Sequence, residues 1–207
     1  MTRRLQPEGN DASARTRKVS SVKLVVAGGF GVGKTTFVSA VSEIPPLTTE
    51  AAMTSESKDV DDSSLVNAKT TTTVAMDFGR ITIDRDLVLY LFGTPGQERF
   101  DFMWDVLGEG MLGYVLLVDA TRPESIREAV KINAAFCAMA PVPFVVAVNR
   151  TDTLTDELEA ALRDALDIGE DVPVLACDAT DKESVKAVLL ALLYSLLREE
   201  EPATAHA

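Results

Sequence analysis

Eight consecutive residues, Gly28-Gly29-Phe30-Gly31-Val32-Gly33-Lys34-Thr35, have the composition and spacing of a phosphate-binding loop, and the apolar run Val22 to Ala27 leads straight into them. Glycines at 29, 31 and 33 let the loop's backbone N–H groups, including those of Phe30 and Val32, turn inward around a β-phosphate. Lys34 can then bridge β- and γ-phosphates, and the Thr35 hydroxyl is a hard oxygen suited to Mg2+. Thr36-Phe37-Val38 continues as a helix start, which puts Thr36 among the nucleotide contacts and aims the helix's positive end at the anion. An ordinary glycine-rich turn is the bland alternative, and the flanking strand and helix signals weigh against it. A nucleoside triphosphate is the implied ligand.

A second constellation, Asn149-Arg150-Thr151-Asp152, follows the apolar run Val145-Val146-Ala147-Val148. The Asp152 carboxylate can accept from both N1–H and the 2-amino group of guanine. Adenine offers neither donor and would leave the carboxylate unpaired, a penalty that reaches roughly 10⁴-fold in sites built to hydrogen-bond. GTP and GDP are therefore expected over ATP. The segment resembles the Asn-Lys-x-Asp motif of Ras-like small GTPases, with Arg150 where lysine is usual; arginine keeps the charge and the aliphatic stem but packs its planar head differently.

Three further segments extend that resemblance. Cys177-Asp178-Ala179-Thr180 is similar to the last guanine loop of the superfamily, which implies an Ala179 N–H directed at guanine O6. Leu91-Phe92-Gly93-Thr94-Pro95-Gly96-Gln97 resembles the Asp-x-x-Gly-Gln switch II motif with Gly93 in the aspartate's place. The resemblance gives Gly96 an N–H for the γ-phosphate and Gln97 the attacking water. Gly93 offers Mg2+ no carboxylate, so weak metal dependence is expected, with Gly93→Asp partly repairing it, unless another group such as Asp77 takes over. Thr73-Val74-Ala75-Met76-Asp77-Phe78 matches the Thr-x-x-x-Asp-Phe pattern of Rab-like GTPases, making Thr73 the switch I residue that closes on Mg2+ and γ-phosphate. For Thr70 and Thr71 a strand-starting threonine run is the simpler reading.

These residues need a scaffold of alternating strands and helices, and the chain supplies one. Strands are predicted at Val22–Ala27, Thr72–Ile83, Leu87–Phe92, Gly113–Asp119, Phe144–Asn149 and Val174–Cys177, and helices at Lys34–Ser42, Asp101–Leu107, Pro123–Ala138, Asp156–Leu166 and Lys182–Arg198. The alternation is that of an α/β fold with a six-stranded, mostly parallel sheet covered by helices on both faces, and the resemblance implies the small-GTPase-like three-layer sandwich of P-loop NTPases. Asp84-Arg85-Asp86 reads as a hairpin turn, so the pair it joins is antiparallel. Residues 43–71, with Pro45-Pro46 and little periodicity, read as one long loop, an enlarged switch I.

Composition narrows the class. The chain has 207 residues, 46% of them apolar, enough for one core, here assigned to residues 21–199. The net charge of −12 makes nucleic acid an unsuitable partner. Residues 1–20 carry Arg3, Arg4, Arg15, Arg17 and Lys18 against Glu8 and Asp11 and read as a disordered basic tail, with 200–207 a second flexible tail. No apolar run is long enough for a membrane span, neither Cys137 nor Cys177 forms a lipidation signal, and a cytoplasmic location is expected.

Taken over residues 22–197, the chain resembles bacterial Ras-like GTPases of the MglA type and, more closely, the conservon GTPases of actinomycetes. That resemblance implies slow GTP hydrolysis, a signalling role, and roadblock-domain and membrane sensor-kinase-like partners. Phe30 stands where Ras relatives keep a glycine for an inserted arginine. A non-hydrolysing guanine-nucleotide scaffold and an ATP-dependent kinase are the rival readings; Gln97 argues against the first and Asp152 against the second.

Overall fold

The structure, a computed structural model, describes residues 19–45, 49–54, 71–96 and 102–200. All six expected strands are present, as β1 (Ser20–Ala27), β3 (Thr71–Thr82), β4 (Leu87–Gly93), β5 (Gly113–Asp119), β6 (Phe144–Asn149) and β7 (Val174–Cys177). The five helices are α1 (Lys34–Val41), α2 (Phe102–Gly108), α3 (Pro123–Met139), α4 (Asp156–Leu166) and α5 (Lys182–Glu200). Both predicted tails lie almost wholly outside the described residues, although β1 starts at Ser20 and α5 runs to Glu200.

The central strands form because their side chains are apolar on both faces. Every residue of β5 is buried, and the parallel pairs β1–β5 and β5–β6 place Val25 beside Tyr114 and Leu117 beside Ala147. Helices cover both faces, as a buried parallel sheet requires. One core layer joins Leu24, Val26, Leu117 and Val145 to Phe37 of α1 and Val188 and Leu192 of α5. The other joins Val25, Leu116 and Val146 to Phe136 of α3 and Leu162 of α4. Tyr114, fully buried, satisfies its hydroxyl on Asn133 Oδ1 at 2.7 Å and stacks on Phe144 at 4.8 Å. At the helix starts, Thr155 Oγ1 accepts the Leu158 N–H at 3.3 Å and Asp181 Oδ2 the Ser184 N–H at 2.8 Å, each satisfying a donor the first turn leaves open.

The strand order is β2-β3-β4-β1-β5-β6-β7, with β3–β4 antiparallel as the turn at 84–86 predicts. One expectation is corrected. Residues 43–71 are not an unbroken loop, because Thr49–Thr54 forms β2, antiparallel to Thr71–Met76 of β3. The short Thr-Glu-Ala-Ala-Met-Thr segment has little strand propensity of its own; its register against the threonine-rich start of β3 creates it. The sheet reverses its strand order at β1, with β4 on one side and β5 on the other, and the carboxyl ends of strands at such a switch point are where α/β folds place ligands.

Candidate functional site

The phosphate loop leaves the carboxyl end of β1 at that switch point. Its six successive carbonyls, from Gly28 to Gly33, all have donors. Lys34 Nζ donates to Gly28 O at 2.7 Å and Gly29 O at 2.5 Å. Arg122 Nη1 donates to Phe30 O at 2.7 Å and Arg150 Nη2 to Gly31 O at 3.0 Å. Asn149 Nδ2 donates to Val32 O at 2.8 Å, and the Phe37 N–H closes on Gly33 O at 2.8 Å. With every carbonyl engaged by a donor, the N–H groups are the polarity the loop can offer a ligand, which suits an anion. Gly33 sits at φ +107°, and a Cβ there would meet Asn149 Nδ2 at 2.6 Å, so both backbone and space demand glycine.

Lys34 is buried, and desolvation lowers its pKa to about 8 against the opposing pull of the Asp77 and Glu128 carboxylates. Gly96 packs onto this end of the loop. A Cβ on it would lie 2.7 Å from Lys34 Nζ and 2.7 Å from Phe30 Cα, so Gly96, Lys34 and Phe30 enclose the same small volume.

Beside it, Thr35 Oγ1 donates to Asp77 Oδ2 at 2.7 Å. Asp77 stands directly across the β3–β4 ladder from Gly93, and a Cβ on Gly93 would lie 2.9 Å from Asp77 Cβ and 3.0 Å from its Oδ2. The carboxylate absent from β4 is thus supplied by the neighbouring strand. Asp77 fills the space that an aspartate side chain at 93 would need. Among the described residues no three His, Cys, Asp or Glu side chains cluster as a metal site. A hydroxyl and one carboxylate beside a phosphate loop nevertheless fit Mg2+, which takes one or two protein oxygens and completes its shell with phosphate and water.

The segments expected to bind the base also meet. Asn149 is buried, and besides holding Val32 it accepts the Ala179 N–H on Oδ1 at 3.0 Å, tying the phosphate loop to the loop after β7. The Ala179 N–H that resemblance assigned to guanine O6 is therefore engaged by Asn149 in this arrangement. Asp178 Oδ1 accepts from Thr180 N and Oγ1 at 2.8 and 2.7 Å, which shapes the turn. Burial pushes the Cys177 thiol up to about 11, so it packs as a neutral side chain. Arg150, in the left-handed region at φ 63°, pairs with the buried Asp119 while reaching Gly31. Asp152 is exposed in the turn that follows.

Thr36 lies exposed in the first turn of α1. Thr73 lies in the half of β3 paired with β2, four residues from Asp77, or about 13 Å of extended strand. Gln97 is outside the described residues. Sequence reasoning missed Arg122 and Glu128. Arg122 follows β5 at the start of α3, 92 positions from the carbonyl it holds, and nothing local in the sequence marks that contact.

A family model described as "conserved hypothetical ATP binding protein" matches residues 26–199. An uncharacterized protein of Methanocaldococcus jannaschii is 30% identical over 137 residues, covering 65% of this chain and 73% of its own length. The Ras-related protein Rab-27B of Bos taurus is 24% identical over 201 residues, covering 87% of this chain and 81% of its own.

Proposed function

The chain belongs to the family of conserved hypothetical ATP-binding proteins, a P-loop nucleotide-binding family, and from that membership we propose that it is a guanine-nucleotide switch that hydrolyses GTP slowly. The observation that supports the choice of base is Asn149, which joins Val32 of the phosphate loop to Ala179 of the loop after β7 and stands three residues before Asp152. The family description names ATP, and the donor pattern that Asp152 accepts belongs to guanine. Titration of GTP, GDP and ATP tests this directly, together with Asp152→Asn. The variant should lose guanine affinity and gain xanthine affinity, since an amide can donate to the xanthine 2-oxygen. Equal affinity of the wild type for ATP and GTP would refute the base assignment.

In this reading the phosphate-loop N–H groups and Lys34 bind and orient the phosphates, and Thr35 would hold Mg2+ with Asp77 ordering its water shell. Bound Mg2+ supplies charge neutralisation at the β- and γ-phosphates. Gly96 contributes an N–H at the γ-phosphate, and Gln97 orients the attacking water. Hydrolysis is on the order of 10⁻⁴–10⁻³ s⁻¹ without a partner, as in unaided small GTPases. Thr73 joins the site only when the β2–β3 pairing yields, so the γ-phosphate has a structural consequence to drive.

The MglA and conservon resemblance adds a cytoplasmic protein recruited by roadblock-type and membrane sensor-kinase-like partners. No helix among the described residues is long and apolar enough to cross a membrane, so membrane recruitment would run through such partners. A non-hydrolysing scaffold is the second reading, favoured by Phe30, whose 61% exposed ring obstructs an incoming arginine. Phosphate release from the purified protein separates the two.

A further inference from the structure

We propose that Arg122 is a positioning residue that sets the electric field at the tip of the phosphate loop and so the preference for a third phosphate. The inference rests on the nucleotide reading above. Two cationic side chains, Arg122 and Arg150, hold the loop's tip by the Phe30 and Gly31 carbonyls, and only Arg150 belongs to the base-specificity segment. Arg122 comes from the start of α3, where its own N–H is held by Asp119 O at 3.2 Å and its carbonyl accepts the Ser125 N–H at 2.9 Å. From this fixed backbone its guanidinium donates to Phe30 O, and a Cβ on Gly31 would meet Nη1 at 3.4 Å. A charged donor on a carbonyl polarises the peptide it belongs to, so the Gly31 N–H on the other side of that peptide becomes a stronger donor toward phosphate.

The second observation is Glu128. Its Oε1 lies 3.8 Å from Arg122 Nη2, while its Oε2 is buried without a hydrogen-bond partner, 1.8 Å from where a Cβ on Gly29 would stand. A carboxylate is thus pressed against a loop built to hold anions, and Arg122 and Lys34 are the cations that offset it. Phe30 and Gly29 are the loop residues that Gly96 touches, so this charge pair acts at the end where a γ-phosphate differs from a diphosphate's terminus. Arg122 therefore weighs more heavily on a triphosphate than on a diphosphate.

The test is the ratio of GTP to GDP affinity, measured by titration with nucleotide, for wild type, Arg122→Ala, Arg122→Lys and the double variant Arg122→Ala/Glu128→Gln, with thermal unfolding as a check on folding. Arg122→Ala should lower the ratio about tenfold, the size expected for a charge-assisted hydrogen bond. Arg122→Lys should recover part of it, and the double variant should exceed Arg122→Ala because the unbalanced carboxylate is gone. Equal losses for both nucleotides would make Arg122 merely structural and overturn the proposal. A double variant no better than Arg122→Ala would overturn the part assigned to Glu128. If Arg122→Ala does not fold, Arg122→Lys decides alone: a wild-type ratio refutes the proposal and a reduced one supports it. A wild type that binds neither nucleotide would refute the nucleotide reading itself, and this inference with it.

Discussion

Placing an aspartate at position 93 should harm this protein, although it restores the residue that related switch II motifs carry. Its Cβ would lie 2.9 Å from Asp77 Cβ, so the two carboxylates would stand roughly 4 Å apart, where like charges repel by about 4 kcal/mol at an effective dielectric of 20. Asp77 is only half-buried, and solvent should screen about half of that, leaving about 2 kcal/mol. For a domain of this size the melting temperature should fall by roughly 4–8 °C. The assay is thermal unfolding of wild type, Gly93→Asp, Asp77→Ala and the combined Asp77→Ala/Gly93→Asp, without nucleotide and at two salt concentrations. Gly93→Asp should be destabilised, less so at high salt. The combined variant, with its carboxylate moved one strand over, should recover stability and keep Mg2+-dependent nucleotide binding, whereas Asp77→Ala alone loses the metal dependence. Wild-type stability in Gly93→Asp, or undiminished Mg2+ dependence in Asp77→Ala, would refute the idea that one carboxylate serves both strands.

Gly33→Ala must accept φ +107° and displace Asn149, a strain of about 1–3 kcal/mol, and both lower stability and lost nucleotide binding should show in denaturation and titration. Lys34 has a pKa of about 8 without ligand, and bound phosphate raises it. Its contribution to affinity is therefore complete below pH 8 and lost as pH rises above it, so binding at pH 9 should be about tenfold weaker than at pH 7 by calorimetry. If Gln97 orients the attacking water as proposed, Gln97→Leu should abolish single-turnover hydrolysis while leaving GTP affinity unchanged; equal rates would move that role elsewhere.

The parts of the fold legible in sequence are those whose signal is local. Val145 to Asn149 could only be a buried strand, and Pro123 at the head of an amphipathic run marks the start of α3, so β6 and α3 fall where expected. The phosphate loop was equally plain, because its glycines are spaced by the ligand rather than by packing. What could not be read depends on register. Thr49–Thr54 becomes a strand only because Thr71–Met76 lies beside it, and Asp77 replaces a missing carboxylate only because the β3–β4 ladder sets it opposite Gly93. Arg122 is subtler still, since an arginine ahead of a proline at a helix start usually means no more than solubility.

The division of β3 into two partnerships bears on amide hydrogen exchange. Asp77–Thr82 pairs with β4 on one side, and the Arg80 and Thr82 amides on its other side are held by Ser42 Oγ and Glu43 Oε1, so it should be the better protected half. Thr71–Met76 is bonded to β2 alone, in a two-stranded ribbon of the kind that is marginal in water. One continuous strand should therefore show two protection levels with a step between Met76 and Asp77. Thr73 lies on the weakly protected side and Asp77 on the stronger one, so in the proposed switch the γ-phosphate would recruit the first without disturbing the second.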